Sequence, residues 1–209
     1  MPTLLHVDAS PLSEHSITRR LSSEFVEGWR LANPHGEVIT RDLTTTKFTG
    51  IDAQWVQAVY SAPDSRTPEQ NQLLALSDSL IAELERAEEW IFGVPMHNFT
   101  VPTVFRLWLD QVVRAGRTFS YINGSPIGLL KNKKAFFVTA SGGRYDPESI
   151  TASFDFVQPY LRCIFGFIGV AEMSFHSAGG TAALAYGDID RHAFLEPHIQ
   201  AIRAQVQTV

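Results

Sequence analysis

Residues 4–20 of this chain read Leu4-Leu5-His6-Val7-Asp8-Ala9-Ser10-Pro11-Leu12-Ser13-Glu14-His15-Ser16-Ile17-Thr18-Arg19-Arg20. The apolar start predicts a strand, and the periodic apolar residues that begin at Ile17 predict a helix. Ser10, Ser16 and Thr18 surround the start of that helix. Because a helix N-terminus presents unpaired N–H groups and a positive dipole end, this hydroxyl loop (residues 9–18) is suited to bind a phosphate.

The hydroxyl loop lacks the two common phosphate-binding fingerprints. Neither G-x-G-x-x-G nor G-x-x-x-x-G-K-[ST] occurs in it, which argues against the usual ways of holding NAD or ATP. Flavin mononucleotide (FMN) is then the leading candidate ligand. The alternative is an ordinary N-cap, since capping alone favours Ser and Thr at a helix start.

Length and composition predict a single globular domain over residues 1–209. The chain is 44% hydrophobic and 19% charged, which is typical of soluble proteins. Its formal net charge of −5 provides no basic footprint for nucleic acid. Neither an 18-residue apolar run nor a signal-peptide pattern occurs, so we expect neither membrane insertion nor export.

The cysteine count favours a reducing compartment. Cys163 is the one cysteine of the chain, so no internal disulfide can form and a cytoplasmic location is expected. It lies in the apolar run 160–165, which predicts a buried, unreactive thiol. We expect no bound metal.

Strand and helix patterns alternate along the chain. Asn123-Gly124 predicts a hairpin-like excursion within residues 119–132. The expected last helix is capped by Asp188 and runs through Val206. The predicted strands are 4–7, 37–43, 90–94, 135–139 and 170–176, and the other predicted helices are 16–32, 52–60, 67–87, 102–115 and 155–167.

This alternation predicts an α/β three-layer sandwich. Parallel strands are joined by right-handed crossovers that place helices on both faces of the sheet. We predict a flavodoxin-like fold whose five-stranded parallel sheet has the order 2-1-3-4-5. In that order a ligand binds outside the carboxyl ends of the strands, between the first and third strands.

Three loops are expected to meet at that edge. Besides the hydroxyl loop, they are Pro95-Met96-His97-Asn98-Phe99 after the third strand and Thr139-Ala140-Ser141-Gly142-Gly143-Arg144-Tyr145 after the fourth. An apolar side chain, an amide and an aromatic ring suit a flat heterocycle with polar edges, and paired glycines let the backbone approach a ring. Each loop also has a structural explanation, because Pro95 can end a strand, Gly142-Gly143 can serve a tight turn and His97 can be a surface residue.

At this point the motifs carry a family resemblance. Ser10 with Ser16-Ile17-Thr18, the two later loops and Arg114-Ala115-Gly116-Arg117-Thr118-Phe119 resemble the FMN-dependent NADH-azoreductases, also described as NAD(P)H:quinone oxidoreductases. The resemblance extends over nearly the whole chain. It implies a flavodoxin-like homodimer with one FMN per subunit, which reduces quinones and cleaves aromatic azo bonds with electrons from NADH or NADPH.

The resemblance also implies which residues bind FMN. The phosphate would be held by Ser10, Ser16, Ile17 and Thr18, and the ring by Met96, His97, Asn98, Phe99, Ala140, Ser141, Gly142 and Gly143. His97 and Ser141 depart from the commoner family pattern, where tyrosine and arginine are frequent, so acceptor preference and nicotinamide choice stay open.

Two further roles are predicted beside the flavin. Phe119 and Tyr121, on the excursion, are predicted to form an aromatic wall over a quinone or azo acceptor. His97 is a candidate proton donor to the reduced acceptor, since imidazole exchanges protons near neutral pH, although solvent can supply the same proton.

Two other protein classes share the predicted fold. A flavodoxin-type electron carrier would pass single electrons to a protein partner, but the chain length, the 44–66 insertion and the modest acidity weigh against it. A phospho-receiver domain needs an acidic cluster after the first strand and a phosphorylatable Asp after the third. Here Asp8 has no acidic neighbour and the third strand ends in Val94-Pro95.

Overall fold

A computed structural model of the chain describes residues 1–206. Its strands are β1 (Thr3–Asp8), β2 (Glu37–Asp42), β3 (Glu89–Pro95), β4 (Phe119–Ile122), β5 (Ser125–Gly128), β6 (Lys134–Ser141) and β7 (Glu172–Gly179). Its α-helices are α1 (Ile17–Ala32), α2 (Ala53–Tyr60), α3 (Pro68–Arg86), α4 (Thr103–Val112), α5 (Val157–Phe167), α6 (Ala182–Ala185) and α7 (Arg191–Val206). No helix within residues 1–206 is long and apolar enough to cross a lipid bilayer.

Five strands form a parallel sheet in the order β2-β1-β3-β6-β7. The predicted five-stranded parallel sheet is therefore present. Its strand numbers differ from the expected 2-1-3-4-5 because the excursion contributes two strands of its own, β4 and β5, before β6. These two pair antiparallel and lie outside the sheet.

Helices cover both faces of the sheet and bury its central strands. On one face, α3, α4 and α5 pack against side chains such as Phe92 of β3 and Phe137 of β6, whose rings stack at 5.1 Å. On the other face, α1 and α7 pack against Leu4, Ile91 and Val138. Strands that are buried on both faces are nearly continuous apolar runs, which is why β3 and β6 are recognisable in the sequence.

Capping residues mark the starts of several helices, and the sequence analysis identified one of these caps incorrectly. The predicted capping box of α3 is present, since Gln70 N donates to Thr67 Oγ1 at 3.3 Å and Thr67 N donates to Gln70 Oε1 at 3.0 Å. The prediction that Asp188 caps the last helix is wrong. Asp188 belongs to the turn after α6, where its N–H donates to Ala183 O at 2.9 Å. Asp190 caps α7 by accepting from His192 N at 2.8 Å.

Cys163 is exposed, so the prediction of a buried thiol is wrong. The apolar run around it lies in α5, whose buried residues are Val157, Leu161 and Phe165. These are four residues apart, as one side of a helix requires. Cys163 lies between two of them in sequence and therefore faces away from the core.

The β4–β5 hairpin is attached to the edge of the sheet where the strands begin. Its turn residues Asn123 and Gly124 both have positive φ, 52° and 79°, as a two-residue hairpin turn requires. A Cβ on Gly128, at the end of β5, would lie 2.1 Å from the backbone N of Gly169. Gly169 follows α5 and precedes β7, so this close glycine contact holds the hairpin beside the amino ends of the strands.

Two histidines form a partly buried pair between the edge strand and the last helix. His176 Nε2 on β7 lies 2.9 Å from His198 Nδ1 on α7, and the rings are nearly perpendicular. Burial and the neighbouring His198 lower the pKa of His176 to about 4. Burial, with a contribution from Arg144, also lowers the pKa of His198. The pair is therefore uncharged near neutral pH.

We expect the free energy of unfolding to fall as the pH drops from about 6.5 to about 4. In this window the unfolded chain, in which His176 has its ordinary pKa of 6.5, binds more protons than the folded chain. After solvent screening of these partly exposed rings, the loss is on the order of 1–2 kcal/mol. Urea titrations near pH 7 and near pH 5 measure it. His176→Asn, which takes up no proton, serves as the comparison, and an equal loss in both proteins would contradict the assignment.

Candidate functional site

The three predicted loops converge at the carboxyl edge of the sheet. In the strand register, Asp8 of β1 lies opposite Gly93 of β3. Backbone hydrogen bonds continue this pairing into the loops, from Ala9 N to Gly93 O at 3.0 Å and from Met96 N to Ala140 O at 2.7 Å. The ends of β1, β3 and β6 therefore hold the loops side by side.

In the hydroxyl loop, all four predicted phosphate residues lie at the buried start of α1. Ser16 is the N-cap, since its Oγ accepts from Arg19 N at 3.1 Å. Its Oγ also lies 3.1 Å from Thr18 Oγ1. The N–H groups of Ile17 and Thr18 have no acceptor within the helix, as at every helix start. Ser10 approaches from the end of β1 and is also buried. Capping explains Ser16 but not the hydroxyl of Thr18.

A buried polar network lies beneath the hydroxyl loop. Asp8 accepts from Ser22 Oγ at 3.0 Å, and His6 Nε2 lies 3.2 Å from its other oxygen. A Cβ on Gly93 would lie only 2.3 Å from Asp8 Oδ1, so this position requires glycine. His6 Nε2 also faces Ser22 Oγ at 3.0 Å. A Ser-His-Asp relay uses the two different ring nitrogens, so this network is structural rather than nucleophilic.

Arg19 is a residue of this site that the sequence analysis missed. Its Nε donates to Ser10 O at 2.8 Å, and its Nη2 donates to Asp42 Oδ1 at 2.8 Å. Burial works to raise the pKa of Asp42, but hydrogen bonds from Arg19 and Thr44 outweigh it and lower that pKa. The sequence did contain a hint of this role. Arg19 lies in the first turn of a helix, where the macrodipole disfavours a cation unless other groups hold it there.

The loop after β3 is a tight turn with unusual backbone angles. His97 and Thr100 exchange two backbone hydrogen bonds, at 2.9 and 3.1 Å. The residues between them, Asn98 and Phe99, have φ of 48° and 69°. Asn tolerates this region, whereas a bulky residue such as Phe adopts it at a cost on the order of 1–3 kcal/mol. Such strained turns are typical of ligand sites, and this one exposes His97, Asn98 and Phe99.

Aromatic side chains form a cluster beside this turn. Phe99, which is 46% exposed, packs edge-on against Tyr145 at 6.2 Å and against Phe154 at 5.6 Å. A cleft next to them is lined by residues from the loop after β3, from β6 and the loop that follows it, and from β7, including Met96, Ala140, Ser141, Tyr145 and Phe175. Three of the predicted ring-binding residues therefore share one concave surface.

The loop after β6 is held by a segment that the sequence analysis did not predict. The N–H groups of Gly180, Thr181 and Ala182 donate to the carbonyls of Gly143, Ser141 and Gly142 at 3.0 to 3.2 Å. Ser141 Oγ also donates to Gly143 O at 2.9 Å. Gly180 has a φ of +86°, a conformation that favours glycine. The pair Gly179-Gly180 was therefore the feature of the sequence that could have predicted this segment.

Phe119 and Tyr121 do not lie near these loops in the same chain. Phe119 packs against Phe167 at the far end of α5, with ring centroids 4.6 Å apart, and Tyr121 is 61% exposed. Both belong to the hairpin at the amino edge of the sheet. Within one chain they therefore cannot cover an acceptor at the carboxyl edge.

The motif at residues 114–119 anchors that hairpin. The buried Arg114 donates to Ser77 Oγ at 2.7 Å and forms an ion pair with Asp78. Thr118 Oγ1 donates to Val112 O at 2.7 Å. Within the described residues, no group of three or more His, Cys, Asp or Glu side chains is arranged to hold a metal ion.

Comparison with known sequences identifies relatives over almost the full length. A family described as having a flavodoxin-like fold matches residues 2–206. A protein of Acidobacterium capsulatum named FMN-dependent NADH:quinone oxidoreductase is 50% identical over 203 residues, which cover 97% of this chain and 98% of the relative. FMN-dependent NADH:quinone oxidoreductase 3 of Burkholderia lata is 44% identical over 201 residues, 96% of this chain and 97% of the relative.

Solved structures share the fold. An azoreductase from Bacillus anthracis str. Sterne superposes with a TM-score of 0.88 at 23% identity, covering 100% of both chains. An FMN-dependent NADH-azoreductase from Bacillus anthracis str. Ames Ancestor in complex with FMN gives 0.87 at 20% identity, covering 100% of this chain and 99% of that one. The family predicted from the motifs is confirmed: by its match over residues 2–206 and its 50% identity to a relative of the same length, the chain belongs to the flavodoxin-like family that includes FMN-dependent NADH:quinone oxidoreductases.

Proposed function

We propose that this protein is an FMN-dependent NADH:quinone oxidoreductase that also cleaves aromatic azo compounds reductively. The observation that carries the proposal is the 50% identity, over 97% of the chain, to a relative with the quinone oxidoreductase name. The azo activity is supported by the motif resemblance and requires the same reduction of a planar conjugated acceptor. We also propose a cytoplasmic location, supported by a cysteine content that allows no internal disulfide.

The hydroxyl loop fits the phosphate of FMN. The phosphate needs several N–H and O–H donors in one place. Ser10, Ser16 and Thr18 offer hydroxyls there, and Ile17 and Thr18 offer N–H groups of the first helical turn. The mutual hydrogen bond of Ser16 and Thr18 places two of these hydroxyls 3.1 Å apart, which is close enough for both to reach one phosphate group.

The loops after β3 and β6 fit the ring. Met96 and Phe99 supply apolar surface, while His97 and Asn98 supply polar groups on the exposed turn. In the loop from Ala140 to Gly143, the carbonyls of Ser141, Gly142 and Gly143 accept from the segment after β7. Within the described residues, none of the hydrogen bonds of this loop uses the N–H of Gly142 or Gly143. These N–H groups are the donors that we assign to the polar edge of the ring.

In such an enzyme, bound FMN would supply the hydride chemistry. The residues of the chain are left to bind the cofactor, to orient the acceptor and to shape the site around them. The cluster of Phe99, Tyr145 and Phe154 provides an aromatic surface on one side of the site. We assign to His97, which the tight turn holds at the surface, the delivery of a proton to the reduced acceptor.

We propose that the active form is a homodimer. Phe119 and Tyr121 are assigned to the acceptor, yet they lie on the hairpin at the opposite edge of their own chain from the FMN loops. A second copy can bring its hairpin to those loops, and twofold symmetry repeats the contact in the other direction. Exposed aromatic residues at both places, Tyr121 on the hairpin and Phe156 near the site, support such an interface.

The function predicts a yellow protein with one FMN per chain. Heat should release FMN rather than FAD, since the hydroxyl loop offers donors for one phosphate. NADH oxidation should match added benzoquinone in stoichiometry, and initial-rate plots should give parallel lines because donor and acceptor use one site in turn. A flavoprotein without quinone-dependent NADH oxidation would favour the electron-carrier alternative. A colourless protein that FMN does not reconstitute would overturn the proposal.

The assignment of the hydroxyl loop is tested by the double substitution Ser16→Ala and Thr18→Ala. Each hydroxyl bond to a charged phosphate is worth roughly 1.5–3 kcal/mol, so FMN affinity should fall by roughly two to four powers of ten if the losses add. Activity should return with excess FMN. Thr67→Ala removes a comparable cap from α3 and serves as the control, since it should lower the melting temperature without changing FMN affinity. A double variant that behaves like this control would show that the loop only caps the helix.

The dimer proposal predicts a role for the exposed Tyr121. Sedimentation should give a dimer at micromolar concentration, and Tyr121→Ala should raise the KM for quinone at least several-fold with unchanged FMN affinity. Leu31→Ala, at an apolar position on α1 that is even more exposed than Tyr121, should leave both unchanged. A monomer with full quinone reductase activity would contradict the proposal.

A further inference from the structure

Arg19 connects three elements at the base of the hydroxyl loop. Its Nε donates to Ser10 O at 2.8 Å and its Nη2 to Asp42 Oδ1 at 2.8 Å, while Nη1 lies 3.8 Å from Asp8 Oδ2. Its backbone N–H donates to the N-cap Ser16. One side chain thus joins the carboxyl ends of β1 and β2 to the first turn of α1.

The charge of Arg19 is already balanced by these contacts. Two carboxylates, Asp8 and Asp42, face one guanidinium, so the cluster has no net positive charge to offer an anion. Nearby, Arg20 forms an ion pair with the buried Glu24. Arg191 of α7 donates to His15 O at 3.0 Å and to Glu14 O at 3.4 Å. The arginines next to the loop are therefore directed at carboxylates and backbone carbonyls.

We propose that Arg19 is a positioning residue for the phosphate site, which shapes the hydroxyl loop while Asp8 and Asp42 cancel its charge. The inference rests on the proposed FMN function. In this view the phosphate is recognised by oriented N–H and O–H donors. Asp42 orients Arg19, which explains a carboxylate close to an anion site, where it would otherwise be unfavourable.

The Ser10 carbonyl explains why the loop needs this arginine. Ser10 is buried and precedes Pro11, so its peptide unit has a carbonyl but no N–H. A buried carbonyl without a donor is costly, and Arg19 Nε supplies the donor. The planar guanidinium can satisfy this carbonyl and Asp42 at the same time, in a fixed geometry that the single ammonium of lysine does not reproduce.

Asp42→Asn separates positioning from electrostatic attraction, because the two predict changes of opposite sign. If Arg19 attracted phosphate by its charge, removing the negative charge of Asp42 would tighten FMN binding. Positioning predicts that FMN affinity falls by roughly several-fold to tenfold, because the hydrogen bond from Arg19 loses its ionised acceptor and with it about half of its strength. Arg19→Lys, which keeps the charge, should weaken FMN binding similarly.

Riboflavin, which lacks the phosphate, provides the second measurement. Its affinity should be unchanged in Asp42→Asn and Arg19→Lys, so that the preference for FMN over riboflavin falls in both. The control is Glu83→Gln, which makes the same charge change at the ion pair with Arg41, also on β2. It should leave both affinities as they are. Melting temperatures of the apo-proteins establish that each variant is folded. If only one of Asp42→Asn and Arg19→Lys folds, that variant alone is sufficient for the test.

The outcomes distinguish the inference from the function on which it rests. A wild-type protein that prefers FMN, with Asp42→Asn and Arg19→Lys binding FMN as tightly or more tightly, overturns the positioning role and leaves the proposed function standing. A parallel loss of riboflavin affinity also overturns it, because the effect would then not be on the phosphate. A wild-type protein that does not bind FMN overturns both proposals.

Discussion

The parallel pairing of β3 between β1 and β6 is the constraint on which the site depends. Because these strands run in the same direction, each one ends at the same edge and opens a loop there. Gly93 allows β1 and β3 to keep this pairing around the buried carboxylate of Asp8, which occupies the space of a Cβ. The loops are therefore positioned by backbone geometry, and their side chains are left available for binding.

Arginines fix the two edges of the sheet in a similar way. At the carboxyl edge Arg19 joins β1, β2 and α1, and at the amino edge the buried Arg114 joins the hairpin to α3. Paired charges with little exposure add little net stability, because desolvation offsets their attraction. Their contribution here is geometric. The Arg19 guanidinium bonds groups at the ends of both β1 and β2, and the Arg114 guanidinium bonds two neighbouring side chains of α3, Ser77 and Asp78, so each arginine fixes its own segment against those groups.

Sequence periodicity and turn chemistry were sufficient to predict the alternation of elements, the parallel sheet and the three loops. What they missed depends on distances between separate elements. Asp42 lies 23 residues from Arg19, and only the register of β1 with β2 brings the two together. Cys163 was misjudged because an apolar run was treated as uniformly buried, although in a helix one side faces outward. The Gly179-Gly180 segment went unnoticed because the last strand was ended too early.

The position of Phe119 and Tyr121 follows from the topology. A helix that leaves the carboxyl edge after β3 must end near the amino edge, so a hairpin inserted between α4 and β6 is placed far from the loops that follow β3 and β6. An acceptor site that needs both the FMN loops and this hairpin cannot be completed by one chain. Under the proposed function, assembly and acceptor binding are therefore linked by mass action, since a ligand that contacts both copies stabilises their association.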